Sequence, residues 1–540
     1  MINIVLIGER LAHRSFSGAN KALPVLASSL ANAKYANVAQ MDLEQSGVTV
    51  EGVARAAATA DLVVVAGAMT PQWGELDQTL STLHRHLQSI DRSPPIIVGG
   101  YAAKGAEEVL RAQPAITALF DGEGEEGIIQ IAEAVAKGHF RETMMSIRGL
   151  CHIDGGGKYH HSTAPRVRNI SHIDQNYGLL HNPARHNMSI FARPGKPLKT
   201  AQLYTQRGCP WVCGFCNKST ENGRVVRLSE ESLRSQLRKL REDGYTSVYL
   251  DVDTFTVNAE AAQREAAILH EEGFIWGSNT RIDCIDRPLM RELVQHGCVY
   301  MFCGVEHIDV GVSIAVQKFN GALESQLRQA RGYRDEVRRV YHDMATAGLV
   351  SSFFVILGLP KAVLDPTGTR VESFRPTTLE EDVDCVRFGI MDCDPDYFNF
   401  NLLRFMPGTV AADQPGNNAY ACVRPSASAP ITAGYFLPRL RATQRFRLND
   451  NHGVYRLCES IGPTQPTTTA VDPERVHRTV AAAIEFINHK RSRGGKLTQL
   501  FVDEEVLGSG LVSIDRDGSY RLAGLRDFES LTNFAAAATQ

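Results

Sequence analysis

Two long stretches of the chain alternate short apolar runs with helix-like segments, and this alternation restricts the fold more than any other feature. In residues 1–140 the apolar runs fall at 2–7 (INIVLI), 38–41, 61–69 (DLVVVAGAM), 94–98 (PPIIV) and 116–120. Helical stretches at 21–33, 75–90, 105–112 and 126–136 separate and follow them. Strands that alternate with helices pair in parallel, and the crossover helices cover both sheet faces. Five such units predict a doubly wound α/β domain whose ligands sit at the carboxyl ends of the strands. Gly67, Thr70, Gly99, Gly100, Gly122 and Gly124 fall at those ends.

A second alternation begins near residue 200. Its strands are expected at 201–205, 246–251, 274–280, 299–305, 350–357 and 397–404, and its helices at 230–242, 258–272, 287–296, 322–347 and 378–390. Six βα units predict a curved parallel sheet, a partial (β/α)6 barrel with its site at the carboxyl ends of the strands. Between the two domains, 141–198 lacks a period and carries Gly155–Gly157, Pro165, Pro183 and Pro194, which reads as a linker with a few short elements. The barrel domain is expected over 199–424. A small mixed region over 425–540 follows, with an amphipathic helix at 474–490 and a hairpin at 511–522 turning on Asp517–Gly518.

Charge and cysteine usage narrow the function. Lys plus Arg number 57 against 60 Asp plus Glu, a net of −3 over 540 residues, with no basic arm. A protein that binds a phosphate backbone is expected to carry a basic patch, so nucleic acid is not an expected partner. The start, MINIVLIGERL, reads as a strand and not as a signal peptide, and the apolar runs are too short to span a bilayer. A cytoplasmic protein without membrane contact is expected. Eleven cysteines in such a chain are not a disulfide framework. Three of them lie within eight residues, and others, such as Cys298 and Cys303, read as small core residues.

The three form the run Thr205-Gln-Arg-Gly-Cys209-Pro-Trp-Val-Cys213-Gly-Phe-Cys216-Asn217, directly after the first strand of the second domain. Thiolates bind iron–sulfur clusters, zinc and copper. Three cysteines on one tight loop cover three irons of a cubane and leave the fourth open, and an open metal position signals chemistry more than scaffolding. Gly208 and Gly214 let the backbone wrap closely. A zinc site would need a fourth ligand, and the nearest histidines, His186 and His270, are remote in sequence.

Cys-x3-Cys-x2-Cys with an aromatic residue before the last cysteine resembles the radical S-adenosylmethionine (SAM) superfamily, over about residues 200–410. The resemblance implies that Cys209, Cys213 and Cys216 ligate a [4Fe–4S] cluster whose open iron chelates SAM, and that one electron splits the sulfonium to a 5′-deoxyadenosyl radical. It places the Phe215 backbone near the adenine. Tyr249-Leu-Asp-Val-Asp253-Thr-Phe-Thr256 resembles the second-strand motif, with Val252 replacing one of two acids, so Asp253 is left to meet the methionine ammonium. Asn279-Thr-Arg281-Ile-Asp283 resembles the third-strand motif, in which Arg281 offsets a carboxylate or pairs with Asp283. Gly304-Val-Glu306-His307 resembles Gly-Val-Glu-Ser, making Glu306 a partner of ribose or amine, with His307 departing from the family pattern. Leu357-Gly358-Leu359-Pro360 resembles the fifth-strand turn that brings backbone to the adenine.

A flavodoxin-like domain ahead of these cysteines resembles the cobalamin-binding subgroup of that superfamily. The resemblance implies cobalamin contacts from Thr70, Gly99, Gly100, Glu123, Gly124 and Glu125, with the glutamates facing amides. The Asp-x-His-x-x-Gly motif of a lower axial histidine is missing. His13 has neither its aspartate nor its glycine, which implies no histidine on the lower face of the cobalt. HHSTAPRVRNISH (160–172) reads as a solvated stretch, Trp73, Trp211 and Trp276 as core, and Tyr397, Asn399, Asn401 and Arg404 as substrate contacts on the last strand. The expected activity is cobalamin-dependent radical methylation of a specialised small metabolite, with flavodoxin or ferredoxin as reductant. The rivals are 3-amino-3-carboxypropyl transfer, rearrangement or cyclisation beside a vestigial cobalamin domain, and a non-enzymatic iron–sulfur sensor.

Overall fold

The structure, a computed structural model, describes residues 1–8, 22–31, 33, 35–43, 48–67, 73–100, 106–175, 200–216, 223–403, 409–413, 419–423, 473–496, 498–502, 512–514 and 520–522. His13, Thr70, Arg404 and the Asp517–Gly518 turn lie outside the described residues.

The first domain runs β1 (Ile2–Gly8), α1 (Ala22–Ala31), β2 (Ala36–Asp42), α2 (Val50–Ala57), β3 (Leu62–Ala66), α3 (Trp73–Ser89), β4 (Ile96–Gly99), α4 (Ala106–Ala112), β5 (Ala118–Phe120) and α5 (Glu125–Ala136). Alternate residues of a strand point to opposite faces. Ile2, Ile4, Leu6, Leu62 and Val64 therefore bury on one face with α1 and α5, while Val5, Ile7, Val63 and Val65 bury on the other with α2, α3 and α4. The parallel strands lie in the order β2-β1-β3-β4-β5, the doubly wound order.

The stretch expected to link the domains is built into them. After the short helix α6 (Phe140–Thr143), β6 (Leu150–Ile153) and β7 (Tyr159–His160) add antiparallel to β5 and to each other. The chain then runs back across the end of β5, where the Ala164 N–H donates to Asp121 O at 2.8 Å. Val167, Ile170 and Ile173 bury against Val25 of α1 and against Val226 of the second domain. The segment expected to be solvated at 160–172 thus buries Val167 and Ile170, which with Ile173 wedge between the domains. Its buried apolar residues recur every third position, a spacing that is neither that of a strand nor that of an amphipathic helix.

In the second domain β8 (Thr200–Leu203), β11 (Ser247–Leu250), β12 (Ile275–Arg281), β13 (Cys298–Glu306), β14 (Val350–Leu357) and β17 (Tyr397–Leu402) pair in parallel in chain order. The short β9 (Gln206–Arg207) and β10 (Val226–Arg227) form a separate antiparallel pair. Outside lie α7 (Glu230–Glu242), α8 (Ala259–Glu271), α9 (Arg287–Gln295), α11 (Leu323–Ala347) and α12 (Leu379–Arg387). Their starts are fixed locally. Ser229, Asn258 and Asp286 accept hydrogen bonds as N-caps of α7, α8 and α9, and Thr378 and Glu381 close a capping box on α12. The short α10 (Val310–Ala315) follows β13, and a hairpin of β15 (Pro360–Leu364) and β16 (Val371–Pro376) follows β14.

To the six expected strands the structure adds a seventh, β18 (Gln499–Val502), on the far edge of β17. Between them come α13 (Val410–Asp413) and α14 (Pro473–Ser492), and α14 packs on α12. The contact centres on Arg475, which grips the fully buried Asp382 at 3.0 and 2.6 Å. A last pair, β19 (Val512–Ile514) and β20 (Tyr520–Leu522), forms the expected hairpin. Among the described residues no helix is long and apolar enough to cross a membrane.

Candidate active site

The cysteine loop leaves the carboxyl end of the first barrel strand and is pinned on every side. Gly208 has φ +99°, and its N–H donates to Asp253 Oδ2 at 3.0 Å. A Cβ at 208 would stand 2.2 Å from the Arg224 carbonyl oxygen, so only glycine fits this turn. Asn320 Nδ2 donates to Pro210 O at 3.0 Å, Gly214 N to Val316 O at 3.0 Å, and Ala411 N to Gly214 O at 2.9 Å. Gly214 lies under the Tyr420 ring, which a Cβ would meet at 2.8 Å. The loop closes with Cys216 N donating to Cys213 O at 2.9 Å. Cys213 is buried, and Cys209 and Cys216 are partly exposed.

Each thiol has a different environment. Cys209 Sγ lies 3.7 Å from Thr254 Oγ1, and Cys213 Sγ lies 3.7 Å from Arg281 Nη1. Among the described residues no three His, Cys, Asp or Glu side chains gather around one point as a single metal ion requires. A cubane asks for something else: one thiolate at each of three irons. Three thiols on one tight, glycine-cradled loop beside a buried cation fit that group. Cys298 and Cys303, by contrast, are core residues whose thiols burial pushes well above the ordinary range.

The segments with motif-like sequences converge on this loop. Val252, the residue in place of an acid, is 3% exposed in the core, so the chain can dispense with a carboxylate there while Asp253 turns to Gly208. The Asn279 side chain accepts a hydrogen bond from Tyr249 Oη and donates to Val252 O at 3.3 Å, bracing the adjacent strand end. Arg281 resolves its two expected roles by pairing with Asp283 through Nε at 2.9 Å and Nη2 at 2.8 Å. Glu306 stands at φ +61°, an unusual conformation for a residue with a side chain, at an irregularity in the β13–β14 register. Its carboxylate folds back over Gly304, where a Cβ would meet Oε1 at 2.5 Å. Gly358, at φ +83°, turns the chain after β14. Leu359, just before Pro360, packs with Val316 and Tyr420 in a small apolar cluster that Phe215 joins from the cysteine loop.

Several participants escaped sequence reasoning. Lys318 is buried, pairs with Glu306, and donates to Gly304 O at 2.9 Å. Burial, and then the Arg281 charge, lowers this lysine to about 7, against the opposing pull of Cys213 and Asp283. A lysine inside an apolar run, SIAVQKF, was the available signal. Arg207, directly before Gly208, is 15% exposed and reaches into the first domain to Glu125 at 2.5 Å and Glu123 at 3.5 Å. Those two carboxylates, expected to face cobalamin amides, are thus held by the cysteine loop. Glu123 also accepts from Val167 N, and burial raises its carboxyl above the usual range. His307 is buried, accepts the Asp309 N–H at Nδ1 at 3.1 Å, and has Nε2 3.7 Å from Asp382 Oδ1, which ties it to the α14 contact.

Trp276 is fully buried and donates to His296 O at 2.8 Å, as a core residue. Trp211 is instead the ring over which the Arg281 guanidinium sits, 4.3 Å from its centroid. The Asn399 amide donates to Ser352 Oγ in the neighbouring strand, a contact within the sheet. At the carboxyl ends of β3, β4 and β5, Gly67, Gly100 and Gly122 take φ of +71°, +129° and +121°, with Gly99 and Gly124 alongside, and Gly122 is covered by Ala164, which a Cβ there would meet at 2.8 Å.

No protein-family model matches the chain. Among curated proteins it is similar to an anaerobic magnesium-protoporphyrin IX monomethyl ester cyclase of Cereibacter sphaeroides, 25% identical over 261 residues, 47% of this chain and 40% of that one. It is similar to a hopanoid C-3 methylase of Methylococcus capsulatus, 27% identical over 41% of each chain. The match to an uncharacterised methyltransferase of Pyrococcus horikoshii is 27% identical over 42% of this chain and 48% of that one. The matched part is less than half the length of each of these relatives. Among solved structures, the methyltransferase TsrM of Kitasatospora setae, with cobalamin and a [4Fe–4S] cluster bound, superposes with a TM-score of 0.62 over 100% of this chain and 95% of that one, at 15% identity. The enzyme OxsB, with aqua-cobalamin and SAM bound, gives a TM-score of 0.53 over 99% of this chain and 66% of that one, at 14% identity.

Proposed function

Starting from a fold shared with cobalamin-dependent radical SAM enzymes, we propose that this chain is a radical SAM methyltransferase acting on a small molecule. One observation carries the reading. Three thiols stand on a pinned loop at the carboxyl edge of a parallel barrel sheet, and Arg207 joins that loop to the carboxyl edge of a doubly wound sheet. Cys209, Cys213 and Cys216 would hold the cluster and leave one iron to SAM. When bound, the cluster, SAM and cobalamin supply reductive sulfonium cleavage and methyl transfer through cobalt.

The protein's own part is to bind and orient. Asp253 has one carboxylate oxygen on the Gly208 N–H, and its charge beside the cysteine loop suits the methionine ammonium. Glu306, fixed by Lys318, offers a carboxylate to ribose hydroxyls or to the same amine. Asn279, Phe215, Gly358 and Pro360 shape the adenosine side by packing and backbone. Gly99, Gly100 and Gly124 provide side-chain-free backbone for a flat macrocycle, with Thr70 adjoining in sequence. A small metabolite suits the balanced charge of −3, and the TsrM structure determined with tryptophan as substrate supports that class. The cyclase relatives favour ring closure as a second outcome of the same radical.

Anaerobically reconstituted protein given hydroxocobalamin, a reductant and SAM is expected to carry a corrin spectrum through gel filtration. It is also expected to release 5′-deoxyadenosine and S-adenosylhomocysteine. Methylthioadenosine would instead indicate aminocarboxypropyl transfer. Cleavage without a retained corrin would leave cyclisation or rearrangement. No cleavage of SAM at all would sink the enzymatic reading.

A further inference from the structure

We propose that Arg281 acts on the cluster through Cys213, setting its reduction potential, and does not serve as the partner of the methionine carboxylate. The inference rests on the cluster assignment above and adds a role for a residue outside the ligand set.

The side chain is 7% exposed and its donors are already committed. Nε and Nη2 fork onto Asp283 at 2.9 and 2.8 Å, Nη2 also donates to Lys318 O at 2.9 Å, and Nη1 points at Cys213 Sγ at 3.7 Å. Guanidinium has five N–H groups; four serve these contacts, and the side chain also reaches the Cys284 thiol. A carboxylate normally takes guanidinium by a fork of two parallel bonds, and here Asp283 already occupies that edge. The face is taken as well. Trp211 belongs to the cysteine loop, and its ring centroid is 4.3 Å from the guanidinium carbon. The loop that carries the thiols therefore wraps the cation that donates to one of them.

The electrostatic consequence has a definite sign. Reduction adds one electron to the cluster, supplied by an external reductant, and no bond or proton moves. A buried positive charge and an N–H···S contact beside a ligand sulfur both favour the more negative, reduced state. Asp283 opposes them. Removing the arginine and removing the aspartate charge should therefore shift the potential in opposite directions, which no merely structural role would produce.

The test is an EPR-monitored dithionite titration of reconstituted holoprotein without SAM, for the wild type, Arg281→Met and Asp283→Asn, with SAM binding followed by equilibrium dialysis. In Arg281→Met the ratio of reduced to oxidised cluster at a fixed potential is expected to fall about tenfold, equivalent to about 59 mV for a one-electron couple. Asp283→Asn is expected to raise that ratio. SAM affinity should change less than about threefold in each. Unshifted potentials in both variants would overturn the inference, as would a tenfold loss of SAM affinity in Arg281→Met at an unchanged potential. If Arg281→Met fails to hold iron, Asp283→Asn alone decides: a positive shift supports the inference and no shift refutes it. A wild-type protein that takes up no [4Fe–4S] cluster would remove the assignment beneath it, a failure distinct from unshifted potentials in a loaded protein.

Discussion

Cys213→Ala is expected to leave the protein with little or no cluster iron after reconstitution and to bring SAM cleavage to background. Cys213 is the most deeply buried of the three thiols, stands at the centre of the pinned loop and is the thiol that Arg281 meets. Cys303→Ala is the matched control. It removes a thiol of similar burial from the core of β13, and iron content should stay at the wild-type level even as stability falls by about 1 kcal/mol. Iron analysis and the charge-transfer absorbance of the cluster read both variants. Full iron and full cleavage in Cys213→Ala would show that the ligand set is wrong.

Lys318→Met has the largest expected effect on stability. The lysine side chain is 2% exposed and that of Glu306 is 14% exposed. Deleting one member of a buried pair leaves the other charge uncompensated, which costs about 3–5 kcal/mol. Replacing both charges together, with Lys318→Met and Glu306→Gln, should recover most of that loss, because nothing ionised is then stranded. Denaturant midpoints of the two single variants and the double variant give the coupling directly. Simple additivity would mean that Glu306 is held by something other than Lys318, and would undercut the placement of its carboxylate at the site.

Both predictions depend on contacts that differ in how visible they are in the sequence. The cysteine spacing, the glycine before Cys209 and the strand that precedes the loop are local features, and local features can be read directly. Asp253, Glu306 and the Gly358 turn follow in order along the barrel, so a one-dimensional pattern captures them as well. Lys318 and Arg207 do not follow any such pattern. Each meets partners on other elements: Glu306 is twelve residues from Lys318, and Glu125 is 82 residues from Arg207. Only the folded sheets bring these together. The same reasoning explains Glu123 and Glu125. As sequence they are carboxylates at a ligand-binding edge. In the fold an arginine from the other domain claims them.

The fold itself was legible wherever amphipathic periods were long. Both parallel sheets and the main helices follow from alternation, because burial on two faces leaves a repeating apolar pattern. The wedge at 160–173 was hidden because its buried residues, Val167, Ile170 and Ile173, recur every third position, which matches neither the alternation of a strand nor the i, i+3, i+4, i+7 pattern of a helix. The β15–β16 hairpin did carry a turn signal, Asp365-Pro-Thr-Gly368, in which Asp365 accepts the backbone N–H groups of Thr369 and Arg370 at 2.7 and 3.1 Å. The strand β18 lies about a hundred residues beyond β17, and no local pattern reports so distant a partner.

Mössbauer spectroscopy of 57Fe-reconstituted protein, recorded before and after adding SAM, tests the central claim most directly. Three protein thiolates and one open corner predict that a single iron of the four changes its isomer shift when SAM binds, while three stay as they were. Four irons that remain alike and indifferent to SAM would mean that a side chain already occupies the fourth corner, and would contradict the account.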